Sequence, residues 1–218
     1  MDQTLHYLYD PLCGWCYGAA PVISTLFATP GLKVNLHPTG LFADAGARPM
    51  DDAFAAYAWA NDQRIGALTG QGFSAHYRAQ VLAARPSMLD SGPATLALTA
   101  IALTAPQREF DALKAIQHAR YVDGRDVTSA AVLADLLGAL GLAGAVALLA
   151  TPDSALHSAD RLRQARAQTL MRAVHARGVP TLVLASGATH HLLTLDPADR
   201  DPQSLLRQID AATAHTSS

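Results

Sequence analysis

The only two cysteines of this sequence lie three residues apart, and they are its most reactive side chains. Cys13 and Cys16 are separated by Gly14 and Trp15 in a chain of 218 residues. Two thiols at this spacing can interconvert with one disulfide, and the thiolate is the form that attacks another disulfide. The motif therefore predicts a redox dithiol that exchanges with thiols and disulfides.

The surrounding pattern places Cys13 at the start of a helix. The apolar run from Leu5 to Tyr9 predicts a buried strand before the motif. From Cys16 to Phe27 apolar residues recur with helical spacing, and we expect Pro21 to kink that helix. Unpaired N–H groups and the positive dipole end of a helix stabilise an anion. We therefore predict that Cys13 is the nucleophile and that Cys16, one turn deeper, is the resolving thiol.

Other roles for the two cysteines are less favoured. A structural zinc site needs four Cys or His ligands, but the chain has one Cys pair and no two histidines separated by three to five residues. A structural disulfide across so short a loop removes little chain entropy. We expect no metal and no cofactor. Asp10 opposes the redox interpretation, since a carboxylate close to Cys13 disfavours a thiolate.

A second motif precedes the third predicted strand, Thr181 to Ala185. Pro180 cannot donate to a strand ladder, so it belongs at the strand start. With a cis Val179–Pro180 bond the Val179 backbone is free to pair with an extended substrate, whereas the alternative is an ordinary trans proline after a helix. The motif predicts that Val179 and Pro180, together with Gly14 and Trp15, bind the substrate.

The remaining pattern gives the order β-α-β, helical block, β-β-α. The run from Leu32 to His37 alternates, which predicts a strand with one wet face that carries His37. We divide the chain into residues 1–47, a helical insertion over 48–175, and residues 176–218. Within the insertion, which contains no convincing strand, helices are predicted over Asp51–Ala60, Phe73–Ala83, Pro93–Leu103, Gln107–Tyr121, Thr128–Leu140, Ala143–Ala150 and Asp153–Arg177, the last capped by Gly178. A hairpin arm, His190–Leu195, and a helix, Gln203–Ala214, follow the third strand.

The composition limits the partners. Half of the residues are hydrophobic, 16% are charged and the net charge is −2, which indicates a globular chain with no nucleic-acid or membrane partner. The N-terminal residues lack a basic leader, so we expect a cytoplasmic protein.

The apolar stretch Ala130–Ala150 contains Asp135 and several glycines, and we interpret it as two buried helices. Five aromatic residues of the insertion could line a groove beside the dithiol, although packing in the core of the helical insertion is the commoner arrangement. They are Phe54, Tyr57, Trp59, Phe73 and Tyr77.

The sequence resembles the DsbA-type thioredoxin-fold family in four segments. These are Cys13-Gly14-Trp15-Cys16, Pro21, Gly178-Val179-Pro180-Thr181, and Val122–Val127 with Val132-Leu133. The resemblance implies an α/β fold, in which a thioredoxin-like βαβ–ββα sheet carries an all-helical DsbA-type insertion. It also implies a thiol–disulfide oxidoreductase or isomerase in which Pro180 shapes the substrate groove. Its expected partners are protein or small thiol and disulfide substrates, with glutathione or a thioredoxin-type protein for recycling.

Two departures from the family narrow the expected activity. The residues between the cysteines are Gly-Trp, where the strongly oxidising periplasmic members have Pro-His, and no export signal is visible. Both favour a cytoplasmic reductase or isomerase. Kappa-class glutathione transferases and 2-hydroxychromene-2-carboxylate isomerases are similar in topology and place a serine where Cys13 stands. Cys16 argues against that glutathione-dependent class, and a non-enzymatic thioredoxin-like binding module is a third alternative.

Overall fold

The computed structural model describes residues 3–187, 189–195 and 201–214. The first part contributes β1 (Gln3–Tyr9), α1 (Gly14–Ala28) and β2 (Lys33–Pro38). The middle contributes β3 (Arg48–Pro49), α2 (Asp52–Thr69), α3 (Ala75–Tyr77, continued by a π-helical turn, Arg78–Leu82), β4 (Met88–Leu89), α4 (Gly92–Thr104), α5 (Glu109–Tyr121), α6 (Ala130–Ala139), α7 (Ala143–Ala150) and α8 (Ser154–Ala173). The last part contributes β5 (Thr181–Ser186), β6 (Thr189–Leu193) and α9 (Pro202–Ala214).

A four-stranded sheet in the order β2-β1-β5-β6 organises the molecule. β1 and β2 are parallel and joined by α1, as the predicted βαβ unit requires, while β5 is antiparallel to β1 and β6 is antiparallel to β5. Side chains alternate between the two faces of β1. Leu5, Tyr7 and Tyr9 belong to the main core with α1, and Leu8 packs against Leu170 of α8 on the other face. The predicted βαβ–ββα order with a helical insertion is confirmed.

Several element boundaries differ from the prediction. α2 continues nine residues beyond Ala60, because Ile65 is buried against the rest of the molecule and Gly70, at φ 80°, supplies the left-handed cap. α8 ends at Ala173, where the left-handed His175 closes the helix and the Ala176 N–H donates to the Met171 carbonyl. His175 therefore takes the capping role predicted for Gly178. The two-residue strands β3 and β4 pair within a block that was expected to contain no strand.

The apolar stretch that includes α6 and α7 lies in the helical block. α7 has the predicted bounds, and Leu133, Leu137 and Ala145 are the buried side chains of the two helices. Among the described residues, no helix has both the length and the apolarity that crossing a bilayer requires.

His37 is buried, and the prediction that it faces solvent was wrong. It is 6% exposed because α8 packs over β2, and its Nε2 atom lies 2.8 Å from Nδ1 of His6. Burial, followed by the charges of His6, Arg163 and Arg166, lowers the pKa of His37 to about 3. Burial also lowers the pKa of His6, with smaller effects from His190, Arg166 and Lys33. The pair is therefore held neutral in the folded protein.

The neutral His37 predicts a loss of stability in acid. In the unfolded chain the pKa of this histidine is near 6.5, so below that pH the unfolded chain binds more protons than the folded chain. The stability that the neutral His37 contributes is therefore complete above about pH 6.5, and it is lost as the pH falls towards the pKa of His37 in the folded protein. We expect His37 to reduce the free energy of unfolding by about 1–2 kcal/mol between about pH 6.5 and 5. Urea denaturation at a series of pH values measures this loss. His37→Gln keeps a hydrogen-bonding side chain that does not titrate, so its pH slope should be shallower; an unchanged slope would contradict this account.

Two glycines allow α1 to approach α2 closely. A Cβ atom at Gly14 would lie 2.5 Å from Oδ1 of Asp62. One turn later, a Cβ atom at Gly18 would lie 2.7 Å from Cγ2 of Ile65 and 3.1 Å from Cγ2 of Thr69. The absence of side chains at these two positions therefore sets the distance between the dithiol helix and the insertion.

This close approach predicts that Gly18→Ala separates α1 from α2 and lowers the free energy of unfolding by about 1–3 kcal/mol. Gly138→Ala is the matched control, because Gly138 is an exposed residue of α6 and a Cβ atom there meets nothing within 4 Å. The control should leave the stability unchanged or raise it by up to about 1 kcal/mol, as helix propensity alone dictates. Urea denaturation of both variants measures the difference. Equal effects would show that the α1–α2 contact is looser than described.

Candidate active site

A hydrogen-bonded turn places Cys13 between β1 and α1. The Cys13 N–H donates to the Asp10 carbonyl at 3.1 Å, and the Leu12 N–H donates to Oδ1 of Asp10 at 2.9 Å. The other carboxyl oxygen of Asp10 accepts from the Ser91 hydroxyl at 2.7 Å and from the Phe42 N–H at 3.1 Å. Asp10 is fully buried, so its carboxyl group fixes this turn rather than facing the solvent. Cys13 is then the N-cap residue of α1.

The Cys13 sulfur reaches the second predicted motif. Its thiol donates to the Val179 carbonyl, with 3.6 Å between Sγ and the oxygen. The Val179–Pro180 peptide bond is cis, which decides between the two alternatives that the sequence left open. Pro180 directly precedes β5, where a residue without an N–H donor costs no ladder hydrogen bond. The fold thus brings together two motifs that are separated by more than 160 residues.

Cys16 lies behind Cys13 and has no solvent exposure, whereas Cys13 retains 7%. Both cysteines are free thiols. Burial raises the pKa of the Cys16 thiol well above its ordinary value, and the neighbouring Cys13 raises it further. The Tyr7 hydroxyl, from β1, donates to the Cys16 carbonyl at 3.3 Å and holds this part of α1 against the sheet. Cys16 is therefore the more deeply buried of the two thiols, and its environment disfavours the thiolate.

A groove of about 330 Å³ opens beside Cys13. Of the four residues predicted to bind the substrate, Gly14, Trp15 and Val179 line the groove, and Pro180 follows Val179 in the chain. Leu41 and Phe42 contribute to it from the loop after β2. The aromatic residues considered for the groove divide: Phe54, Tyr57 and Tyr77 line it, whereas Trp59 packs under Arg78 and Phe73 packs against Tyr17 and Tyr121.

The helical insertion adds a polar cluster to the groove that sequence reasoning missed. Tyr77 donates to Oδ2 of Asp62 at 2.9 Å, and Tyr121 donates to the Leu12 carbonyl at 2.7 Å. Burial raises the pKa of Asp62 to about 7, although the Tyr77 hydrogen bond and the Arg120 charge act in the opposite direction. Asp62, Tyr77, Arg120 and Tyr121 come from α2, α3 and α5, so the insertion forms one wall of the site.

One signal in the sequence marks Arg120. The buried stripe of α5 includes Leu113, Ile116, Gln117, Arg120 and Tyr121. A charged residue on the apolar stripe of a helix is uncommon and needs an explanation in the structure. No comparable signal links Arg120 to Asp62, which lies on another helix. Within the described part of the chain, no three His, Cys, Asp or Glu side chains are grouped as metal ligands.

Comparison with known proteins identifies the fold and its relatives. Residues 4–204 match the family model of the DSBA-like thioredoxin domain. Cytosolic disulfide reductase DsbM from Pseudomonas aeruginosa is 32% identical, with a TM-score of 0.83 over 96% of this chain and 99% of that chain. The structure of the same protein with GSH (reduced glutathione) is similar at a TM-score of 0.81 and 31% identity, over 96% and 99% of the two chains. No curated protein matches the chain.

A further similar structure comes from the class of 2-hydroxychromene-2-carboxylate isomerases, which the sequence left as an alternative. A 2-hydroxychromene-2-carboxylate isomerase superposes with a TM-score of 0.59 over 98% of this chain and 96% of that chain, at 15% identity, which shows a shared fold only. The family match and the DsbM similarity confirm the predicted fold and the predicted class of disulfide oxidoreductase. This chain belongs to the DSBA-like thioredoxin domain family.

Proposed function

We propose that this protein reduces disulfides in the cytoplasm, with Cys13 as the attacking thiol and Cys16 as the resolving thiol. One observation carries the proposal: Cys13, the less buried residue of a free dithiol, lines a groove beside Val179, while Cys16 has no solvent exposure. Gly14, Trp15, Val179 and Pro180 are the proposed substrate-binding residues. The 32% identical DsbM is a cytosolic disulfide reductase, and this likeness supports the direction and the location.

The first step is attack by the Cys13 thiolate on a substrate disulfide. A bond forms between Sγ of Cys13 and one substrate sulfur, the substrate S–S bond breaks, and the other sulfur leaves as a thiolate. The N-terminal N–H groups of α1 and its dipole favour negative charge at this position. The Val179 carbonyl, which accepts from the Cys13 thiol in this structure, becomes available to an N–H of the bound substrate.

The second step transfers the bond to Cys16. The Cys16 thiolate attacks Sγ of Cys13, the intramolecular disulfide forms, and the second substrate sulfur leaves as a thiolate. The dithiol loses two electrons and two protons, and the substrate disulfide becomes two thiols. Two effects of Cys13 that raise the pKa of Cys16, its charge and its hydrogen bond, disappear once Cys13 is in the mixed disulfide. Cys16 thus becomes more acidic at the step that requires its thiolate.

An external thiol reductant completes the cycle by reducing the Cys13–Cys16 disulfide. Glutathione and a thioredoxin-type protein are the two reductants considered. The similarity to DsbM with GSH favours glutathione, which is small enough to reach Cys13 in the groove. The presence of Cys16 directly behind Cys13 favours exchange over glutathione-dependent isomerisation, since isomerisation needs no resolving thiol.

The division of roles predicts that only one cysteine variant traps the intermediate. Cys16→Ser should accumulate a mixed disulfide with glutathione after incubation with glutathione disulfide, because Cys13 attacks and nothing resolves the product. Cys13→Ser should not accumulate it, since Cys16 is buried. Intact-protein mass spectrometry under non-reducing conditions measures the adduct. Equal trapping by both variants would refute the assignment.

The burial and the raised pKa of Cys16 also predict selective alkylation. At pH 7 iodoacetamide should label Cys13 of the native reduced protein at least about ten times faster than Cys16, because burial and a raised pKa protect the Cys16 thiol. Peptide mapping by mass spectrometry assigns the label. In denaturant both cysteines should react at similar rates, which provides the control. Faster labelling of Cys16 in the native protein would exclude the proposed order of attack.

A further inference from the structure

The wall that the insertion contributes to the groove contains a buried cation, Arg120, that forms no salt bridge with the described residues. Arg120 is 3% exposed, and its buried Nε atom has no hydrogen-bond partner among the residues that the structure describes. Among the described residues, no carboxylate oxygen lies within 4.0 Å of the Arg120 guanidinium. Arginine stays protonated in proteins, and a buried charge without a partner is unfavourable. Such a cation is therefore a candidate to receive an anionic group that is absent from the structure.

The groups around Arg120 are two tyrosines and the carboxyl group of Asp62, which interacts with it at a distance. Its guanidinium carbon lies 5.6 Å from the ring centroid of Tyr77 and 5.7 Å from that of Tyr121, which supports the cation without neutralising it. The Tyr121 hydroxyl donates to the Leu12 carbonyl, and the Tyr77 hydroxyl donates to Asp62. Burial raises the pKa of Tyr77, while the charge of Arg120 and a hydrogen bond from its guanidinium to the Tyr77 hydroxyl act in the opposite direction. Asp62 is the nearby carboxyl, but burial raises its pKa to about 7, so near neutral pH it is partly protonated. Among the described residues, the Arg120 guanidinium therefore has a tyrosine hydroxyl and two aromatic rings as neighbours but forms no salt bridge.

This charge lies in the same groove as the reactive sulfur. Arg120, Tyr121 and Cys13 all line the groove, and Tyr121 is close enough to Cys13 and to Arg120 for both to affect the pKa of its hydroxyl. The volume of about 330 Å³ is at the lower end of small-ligand sites, which lie between about 300 and 1,000 Å³. A small thiol compound can therefore place its sulfur at Cys13 and another group at Arg120.

We infer that Arg120 binds a carboxylate of the substrate, so that the groove selects small disulfides and thiols that carry a carboxylate. Glutathione belongs to this chemical class. The inference rests on the proposed dithiol chemistry and adds a binding residue from the insertion. A guanidinium suits this role, because its planar donors match a carboxylate in a bidentate pair.

Two synthetic disulfides of similar size test this inference. The reduced protein is mixed with 3,3′-dithiodipropionate, which carries one carboxylate on each half, or with the neutral bis(2-hydroxyethyl) disulfide. Protein oxidation is followed by acid quenching, alkylation of the remaining thiols and mass spectrometry. Each rate constant is divided by that of the same disulfide with dithiothreitol, which removes the difference in intrinsic reactivity. We expect the normalised rate of the wild-type protein to be about 10 to 100 times greater for the carboxylate compound.

Substitution of Arg120 assigns this preference to one side chain. Arg120→Met should abolish the preference, so that the rate with the carboxylate disulfide falls by a factor about 10 to 100 times greater than the rate with the neutral disulfide does. Arg120→Lys should restore part of the preference, because it returns the charge without the bidentate geometry. An equal loss with both disulfides would overturn the inference in favour of a purely structural role for Arg120, as would no loss with either.

The wild-type measurement keeps the test decisive if the Arg120 variants do not fold. Equal normalised rates for the two disulfides in the wild-type protein would overturn the inference by themselves. Failure of the proposed function gives a different result, since the protein would then react with neither disulfide faster than dithiothreitol does.

Discussion

The connection between β1 and α1 determines where the reactive sulfur lies, and both parts of the protein hold it. Within the thioredoxin-like part, the Asp10 carbonyl accepts a hydrogen bond from the Cys13 N–H. From the insertion, Ser91 donates to the Asp10 carboxyl, and Tyr121 donates to the Leu12 carbonyl. These contacts are buried, where a lost hydrogen bond costs more than in water. The insertion is therefore part of the site, because it positions the dithiol turn as well as lining the groove.

The difference between the two sulfurs follows from this placement. Cys13 ends the turn and faces the groove, whereas Cys16 enters the core one helical turn later, close to Tyr7 of β1. Burial keeps the Cys16 thiol protonated until Cys13 has reacted, and the disappearance of the Cys13 charge then favours its ionisation. The proposed order of the two chemical steps is in this way a consequence of geometry.

The sequence predicts the order of elements along the chain and the dithiol motif because both depend on local patterns. Periodicity identified the strands, and Pro180 was correctly placed before β5. The sequence does not predict features that depend on packing between residues far apart in the chain. Alternation alone suggested a wet face for His37, but α8 covers it. Arg120 and Asp62 are 58 residues apart and meet only through the packing of α2 and α5 against the dithiol turn, so no spacing rule connects them.

The equilibrium constant between the protein dithiol and glutathione most directly tests the claim that this dithiol reduces disulfides. The protein is equilibrated in glutathione buffers of varied ratio, and the oxidised fraction is measured after acid quenching and alkylation. A reductase requires a potential at or below that of the glutathione pool, near the value of about −270 mV found for thioredoxin. A potential near about −120 mV, as in a strongly oxidising enzyme, would contradict the account.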